Sequence, residues 1–382
     1  MLKLMFSRSR HAPLPVAFVT RLVATACLCL MVGAPRLIHA QAPESTTDDE
    51  WTFVSFPDFF NFDVPDPNPK WDRAIDYFLD GVSAEDPAFA LVAGDLVDGR
   101  WWSGPQQVEQ LGNVYYAGWM RRMHRHNLIP YAAIGDHELG DDPWPASKAA
   151  LVPHFYDAFE QHMQHPQNGP EGYLERTYAV RHRNLLVITL QTFEQQDTTV
   201  VPTVGPVQLA WLERTLERHD DATWVVVQGH VPILPDVKSY SSSQIMLEGR
   251  HRSALWQTLA EHEVDLYFAG EHHAITCREH QGVWQVVHGT LWGRGGHANY
   301  LVGAVDDSTL RLTLKRIPLS SSGGDIWNAH KPRGPSEYVS IEPAARRRGF
   351  ETVGTLVIEK DGGASEFVER TGPFTETFPP LN

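Results

Sequence analysis

Four segments of this chain share one layout: an apolar run, a glycine, then a side chain able to hold a metal ion. They are FALVAGD (Phe89 to Asp95), IPYAAIGD (Ile129 to Asp136), WVVVQGH (Trp224 to His230) and VDLYFAGEHH (Val264 to His273). With Asp58, which follows the apolar stretch Trp51 to Phe56, they offer Asp58, Asp95, Asp136, His137, His230, Glu271 and His273. Carboxylate oxygen and imidazole nitrogen suit hard or borderline cations such as Mn, Fe, Mg, Ca or Zn. An Asp after Gly is by itself an ordinary turn or helix cap. Four such ends in one chain point instead to a metal-dependent enzyme.

The elements that must position these side chains follow from the same runs. Short apolar runs rich in Val and Ile and broken by Gly read as strands buried on both faces. Ligands of open α/β sheets gather beyond the carboxyl ends of the strands, so one rim receives all the candidates. Glycine before most of them lets the backbone turn sharply and approach an ion. Between the strands, Lys70 to Val82, Gln106 to His126, Val152 to Met163, Val207 to His219 and Arg252 to His262 show helical spacing, with Gly112 and Gly118 weakening the second. Tyr178 to Val180 and Leu185 to Leu190 read as paired strands. Leu266 to Phe268, Val283 to Val287, Leu301 to Val305, Leu310 to Arg316 and Thr355 to Ile358 read as further ones. The alternation predicts one layered α/β domain. Arg346 to Arg348 reads as a basic cluster on a solvated loop, and His124, His126 and His262 as surface residues. Trp101 and Trp102 read as packing residues in preference to an aromatic wall of the site.

Of the 382 residues, the first forty have the layout of a secretory signal: Lys3, Arg8, Arg10 and Arg21, an apolar core from Leu22 to Ala34, then small residues at Ala40 and Ala42. The core is short for a bilayer span; an uncleaved anchor or a lipoprotein signal at Cys27 are the rival readings. The expected location is secreted or periplasmic, with no membrane span in the mature chain. Residues 41–50 read as a flexible lead-in, 51–318 as the catalytic domain, and 319–382 as a C-terminal extension with a strand packing on it. Residues 1–40 carry five basic side chains (Lys3, Arg8, Arg10, Arg21, Arg36) and no acidic one. The remainder therefore holds 27 Lys and Arg against 47 Asp and Glu, a net of −20. Such a surface repels polyanions, so no nucleic-acid-binding surface is expected. Cys277 is the one cysteine beyond the leader, which excludes an intrachain disulfide there.

GDLVD, GDHE, GH and GEHH, in that order, resemble the calcineurin-like metallophosphoesterases, which include the purple acid phosphatases. The resemblance runs from about Trp51 to Arg316, and the helix carrying Gln208 to Leu212 looks like the one that precedes that family's first isolated histidine. It implies a four-layer fold, a central β-sandwich flanked by helices, with two metals at the strand ends. Carried over by position, Asp58 and His273 ligate the first metal, Asp95 bridges both, and Asp136, His230 and Glu271 hold the second. His137 is implied to contact substrate or protonate the leaving oxygen. The implied reaction is hydrolysis of a small-molecule phosphomonoester or phosphodiester by a metal-bound hydroxide.

The departures from the family pattern carry their own expectation. The usual Asp-x-His is here Asp58-Phe59-Phe60, the usual Asn is Asp136, and the first His of Gly-His-x-His is Glu271. Asp98 stands where purple acid phosphatases place a tyrosine ligand and is a candidate ligand itself. Four carboxylates, two divalent ions and one hydroxide leave a formal charge of about −1, against about +1 for the usual set. An oxygen-rich site of this kind favours Mn or Fe over Zn, and a trivalent iron, a protonated carboxylate or an arginine would offset the excess charge. Arg100, Arg294 and His297 are the candidate substrate contacts. The rivals to a dinuclear enzyme are a ligand-binding family member with lost chemistry and a mononuclear metal hydrolase.

Overall fold

The structure is a computed structural model and describes residues 50–59, 69–239, 242–289, 296–321, 339–361 and 364–381. The leader and most of the lead-in expected from the sequence lie outside the described residues.

In chain order the first elements are β1 (Trp51–Ser55), α1 (Pro69–Ser83), β2 (Ala90–Val92), α2 (Pro105–Arg125), β3 (Pro130–Ala132), α3 (Ala146–Ala149), α4 (Val152–Met163), β4 (Tyr178–His182) and β5 (Leu185–Thr189). There follow β6 (Glu194–Gln196), β7 (Thr199–Val201), α5 (Pro206–Arg218), β8 (Trp224–Gln228), α6 (Ala254–Glu261), β9 (Leu266–Ala269), β10 (Thr276–His280) and β11 (Val283–Val287). The last are β12 (His297–Val305), β13 (Thr309–Pro318), β14 (Ser320–Ser321), β15 (Val339–Ser340), α7 (Pro343–Arg348), β16 (Glu351–Asp361) and β17 (Ala364–Arg370).

Two large sheets hold the molecule together. One has seven strands in the order β17-β16-β13-β12-β1-β2-β3, the other six in the order β10-β11-β9-β8-β5-β4. Successive side chains of a strand point to opposite faces, and here both faces are covered. Trp51 and Phe53 of β1, Leu91 of β2, Val226 of β8 and Phe268 of β9 share one apolar cluster between the sheets. Val54, Val92, Val227 and Tyr267 of the same strands face a second cluster built with helix residues such as Ile75, Trp119, Leu212 and Trp256. This two-sided burial is the reason the runs at β2, β8 and β9 are continuously apolar, whereas β3 is an edge strand and Ile129 before it is exposed. The result is the expected layered α/β fold, with helices flanking a β-sandwich. The C-terminal β16 and β17 extend the first sheet beyond β13. Among the described residues no helix is long and apolar enough to cross a membrane.

Helix α2 runs unbroken through both of its glycines. At Gly112 the reason is packing: a Cβ there would lie 2.6 Å from Cβ of Ala158 on α4. An alanine normally gains about 0.5–1 kcal/mol over glycine inside a helix. We expect Gly112→Ala to reverse that sign and destabilise by about 1–2 kcal/mol, because overpacking costs more; urea unfolding measures it.

Two surface expectations are corrected. His126 is buried, between Asp76 (Nε2–Oδ1 3.2 Å) and Asp80 (Nδ1–Oδ1 3.0 Å). It ends α2 where α1 presents two carboxylates one helical turn apart. Arg346 to Arg348 form the last turn of α7, not a loop. Cations there oppose the negative end of the helix dipole, and the Arg346 guanidinium lies over the Tyr77 ring at 5.3 Å.

Candidate metal centre

Strands β1, β2 and β3 are parallel neighbours in one sheet, and β8 and β9 in the other. Their carboxyl ends therefore emerge together, with Asp58, Asp95 and Asp136 from one sheet and His230, Glu271 and His273 from the other. The turns that carry them are tight. Asp58, Asp95, Glu271 and His273 all have positive φ (56°, 60°, 64° and 55°). Each such non-glycine residue costs on the order of 1–3 kcal/mol, and such strain collects at functional sites. The glycines make the approach possible. A Cβ on Gly135 would fall 2.2 Å from Asp95 Oδ1, and one on Gly94 would fall 2.5 Å from His230 Nδ1.

His230 is the centre of the arrangement. Its Nδ1–H donates to the Ala93 carbonyl (2.7 Å), which directs Nε2 into the site. Nε2 lies 3.1 Å from Asp136 Oδ1, 3.4 Å from Asp95 Oδ1 and 3.4 Å from Glu271 Oε2. Glu271 Oε1 accepts the Ile245 N–H (3.0 Å), and the Glu271 N–H donates to Asp58 Oδ1 (3.1 Å). His273 Nε2 stands 3.7 Å from that same oxygen. All six side chains are buried. Donor atoms of Asp58, Asp95 and His230 lie within 4.8 Å of one another, as do those of Asp136, His230 and Glu271.

The electrostatics show a set with surplus negative charge. Burial, with neighbouring carboxylates, raises Asp58 and Asp95 well above the ordinary carboxylate range. Burial and Asp136 push Glu271 up to about 7. Burial would raise Asp136 too, but His137 and His230 beside it hold it below the usual range. His230 is raised, against burial, by the carboxylates around it. Asp58 Oδ2 is buried and has no hydrogen-bond partner. Four buried carboxylates, one orphaned oxygen and an imidazole nitrogen aimed among them fit a bound divalent cation, which supplies the missing charge and contacts. The two clusters share His230, Asp95 also groups with Asp136 and His137, and His273 joins none of these three-residue groups.

The remaining candidates divide. His137 is buried; its Nδ1–H donates to the Asp98 carbonyl (2.5 Å) and its Nε2 lies 4.0 Å from Asp95 Oδ2. Its donor atom also groups with those of Asp95 and Asp136. Burial lowers and Asp141 and Asp136 raise its pKa, and the carboxylates prevail. The Asp98 carboxylate stands apart from the ligand groups and bonds Arg100 (3.4 Å). Arg100 joins a cavity of about 150 Å³ with Asp95, Asp136, His137, Asp141, Ser242, Ser243, Glu271 and His273. His297 begins β12 and does not line that cavity. Arg294 lies outside the described residues. The His272 Nε2–H donates to the Ile245 carbonyl (3.2 Å). His288 is buried against Ser55 Oγ (3.0 Å). Trp101 packs with Tyr115 (4.9 Å between ring centroids), whereas Trp102 is half exposed under the Lys148 ammonium.

The profile of the family named calcineurin-like phosphoesterase matches residues 63–274, more than half of the chain. The chain belongs to the calcineurin-like phosphoesterases. Among solved structures, a dimetal phosphatase from Danio rerio is similar at 13% identity and a TM-score of 0.51, over 70% of this chain and 95% of that one. The inner membrane complex anchor GAP50 of Plasmodium is similar at 14% identity and a TM-score of 0.43, over 77% of this chain and 89% of that one. No curated protein matches the sequence.

One residue of this calcineurin-like phosphoesterase escaped the sequence reading. Glu138, inside GDHE, is fully buried, and its two oxygens accept the N–H groups of Asp95 (2.8 Å), Leu96 (2.8 Å), Val97 (3.2 Å) and Gly135 (2.9 Å). It ties the turn after β2 to the turn after β3, and so fixes Asp95 against Asp136. Its partners are all backbone N–H groups, which leave no mark in the sequence. Glu138→Gln replaces one acceptor oxygen by a donor that faces backbone N–H groups. We expect a stability loss of about 2–3 kcal/mol, read as a lower urea midpoint at unchanged slope.

Proposed function

We propose that this calcineurin-like phosphoesterase is an exported enzyme that hydrolyses a small phosphomonoester or phosphodiester with two metal ions. The observation that carries the reading is the Nε2 of His230 directed at three buried carboxylates at 3.1–3.4 Å. Asp58, Asp95 and His273 would hold one ion, and Asp95, Asp136, His230 and Glu271 the other. Bound there, the ions supply Lewis acidity toward phosphoryl oxygens and lower the pKa of a coordinated water. The rest belongs to the protein's own side chains. With Nδ1–H held by the Asp98 carbonyl, His137 presents Nε2 to the cavity, and in the imidazolium form that Asp141 and Asp136 favour, Nε2–H carries the proton destined for the leaving oxygen. Arg100, at the cavity wall, contacts the phosphoryl group. Ser242 and Ser243 bound the space for the leaving group. Export rests on the basic and apolar leader. Four carboxylates against two imidazoles favour Mn or Fe over Zn.

Metal analysis and a paired hydrolysis assay test the reading. Protein purified without added metal should contain about two ions per chain, mainly Mn or Fe. Chelation should abolish hydrolysis of 4-nitrophenyl phosphate or its bis ester, and Mn or Fe should restore it. One ion per chain with full activity would favour a mononuclear hydrolase. Stoichiometric Zn without Mn or Fe would overturn the metal preference, and no hydrolysis by metal-replete protein would overturn the enzyme.

A further inference from the structure

Beside the ligand set, Arg100, His137 and Asp141 line the cavity and Asp98 adjoins them; Asp141 also offers an oxygen that groups with Asp136 and Asp142 as a possible ion site. Four residues there close a ring. The Asp98 carbonyl accepts His137 Nδ1–H (2.5 Å), and His137 Nε2 faces Asp141 Oδ1 (3.8 Å). Asp141 Oδ2 accepts Arg100 Nε–H (2.6 Å), and Arg100 returns to the Asp98 carboxylate (3.4 Å). Asp141 is thus the member that faces both groups bound for substrate, bonding Arg100 with one oxygen and standing 3.8 Å from His137 Nε2 with the other.

Its place in the ring is enforced from behind. Asp141 has φ of 67°, the left-handed region that Asp and Asn enter more readily than other non-glycine residues. Its N–H donates to the Asp136 carbonyl (2.9 Å), and its own carbonyl accepts from Lys148 Nζ (2.5 Å). Lys148 is buried and also bonds the Gly140 carbonyl (3.1 Å). A residue clamped on its backbone and shared between a guanidinium and an imidazole sets a distance.

We propose that Asp141 is a positioning residue. It spaces the Arg100 guanidinium and the His137 imidazole so that one grips a phosphoryl oxygen while the other faces the leaving oxygen. The proposal rests on the phosphoesterase reading above. Its two oxygens do separable work. Asp141→Asn keeps an acceptor for Arg100 and puts an amide N–H₂ where the oxygen facing His137 stood. Asp141→Ala removes both contacts.

The test compares the two variants with wild type, all metal-loaded and full length. Isothermal titration with inorganic phosphate, steady-state kinetics on a phenyl phosphodiester and metal analysis are measured together. Asp141→Asn should keep phosphate affinity and KM within about twofold and lose kcat by about tenfold. Asp141→Ala should lose about tenfold in kcat and weaken phosphate binding and KM by about tenfold as well, the range for residues that orient a metal site from outside it. Metal content should not change. Equal losses of phosphate affinity in both variants would overturn the proposal, as would an Asp141→Ala protein indistinguishable from wild type or depleted of metal. Wild type that binds phosphate but hydrolyses no ester would sink the phosphoesterase reading alone, leaving the variants' phosphate affinities to decide this one. Wild type that binds no phosphate would overturn the proposal outright.

Discussion

Asp95→Asn should fold normally, drop from two metal ions per chain to one or none, and lose phosphoester hydrolysis by about 10³-fold, the upper end of what removal of one preorganised electrostatic contact costs. The carboxylate stands between the two donor groups. Its Oδ1 is 3.4 Å from His230 Nε2 and accepts the His137 N–H at 3.3 Å. An amide is the same size and can still accept that N–H, so the turn survives. It offers one neutral oxygen where two charged ones stood, so an ion shared through it is lost. Burial and its neighbours already raise the Asp95 pKa well above the usual range, and the neutral side chain will not be rejected by the fold. Metal analysis on the folded variant gives the answer. Two ions and undiminished turnover would show that Asp95 bridges nothing.

His137→Gln should behave differently, with full metal content and a kcat lower by about 10²–10⁴-fold, the range for a general acid. The size should depend on the leaving group. 4-Nitrophenolate departs with little help, so its esters will show the smaller loss and alkyl esters the larger. That gradient separates proton delivery from simple contact. His137 shares a donor cluster with Asp95 and Asp136, which makes metal content the sharper measurement. A variant that loses an ion would make His137 a ligand and remove it from the acid's role.

The strand ends were readable because their cause is local. Parallel strands covered on both faces must be continuously apolar, and a ligand leaving such a strand needs glycine beside it. Asp58, which lacks a preceding glycine, was found only through its strand. Short polar strands were missed. β10, TCREH, is mostly polar although Thr276 and Arg278 are buried, and both β10 and β17 are edge strands, where no alternation is enforced. Glu138 was passed over because nothing in a sequence marks a carboxylate whose partners are backbone N–H groups. The Asp98 carboxylate has ligand spacing, and the fold sets Arg100, two residues on, 3.4 Å from it. His126 looked exposed at a helix end, and only the tertiary placement of Asp76 and Asp80 buries it.

The six candidate ligands do not come from one sheet. Asp58, Asp95 and Asp136 leave the seven-stranded sheet, while His230, Glu271 and His273 leave the six-stranded one. Ions at this rim would be rivets, joining two layers otherwise held by apolar burial and by scattered hydrogen bonds such as those from Gln228 Nε2–H to the Tyr131 carbonyl (3.0 Å) and from the Tyr178 hydroxyl to the Ala132 carbonyl (3.0 Å). The chain's mechanical weak point is then the riveted edge. With the ions stripped, that edge should be the first part of the sandwich to admit solvent, with faster amide exchange at the ends of β2 and β8 than at their centres. Supplied at a hundred times its dissociation constant, a single ion would add about 2.7 kcal/mol to the folded state. Starvation for metal would then appear as a shorter lifetime of the protein itself, well before it appeared as slow turnover.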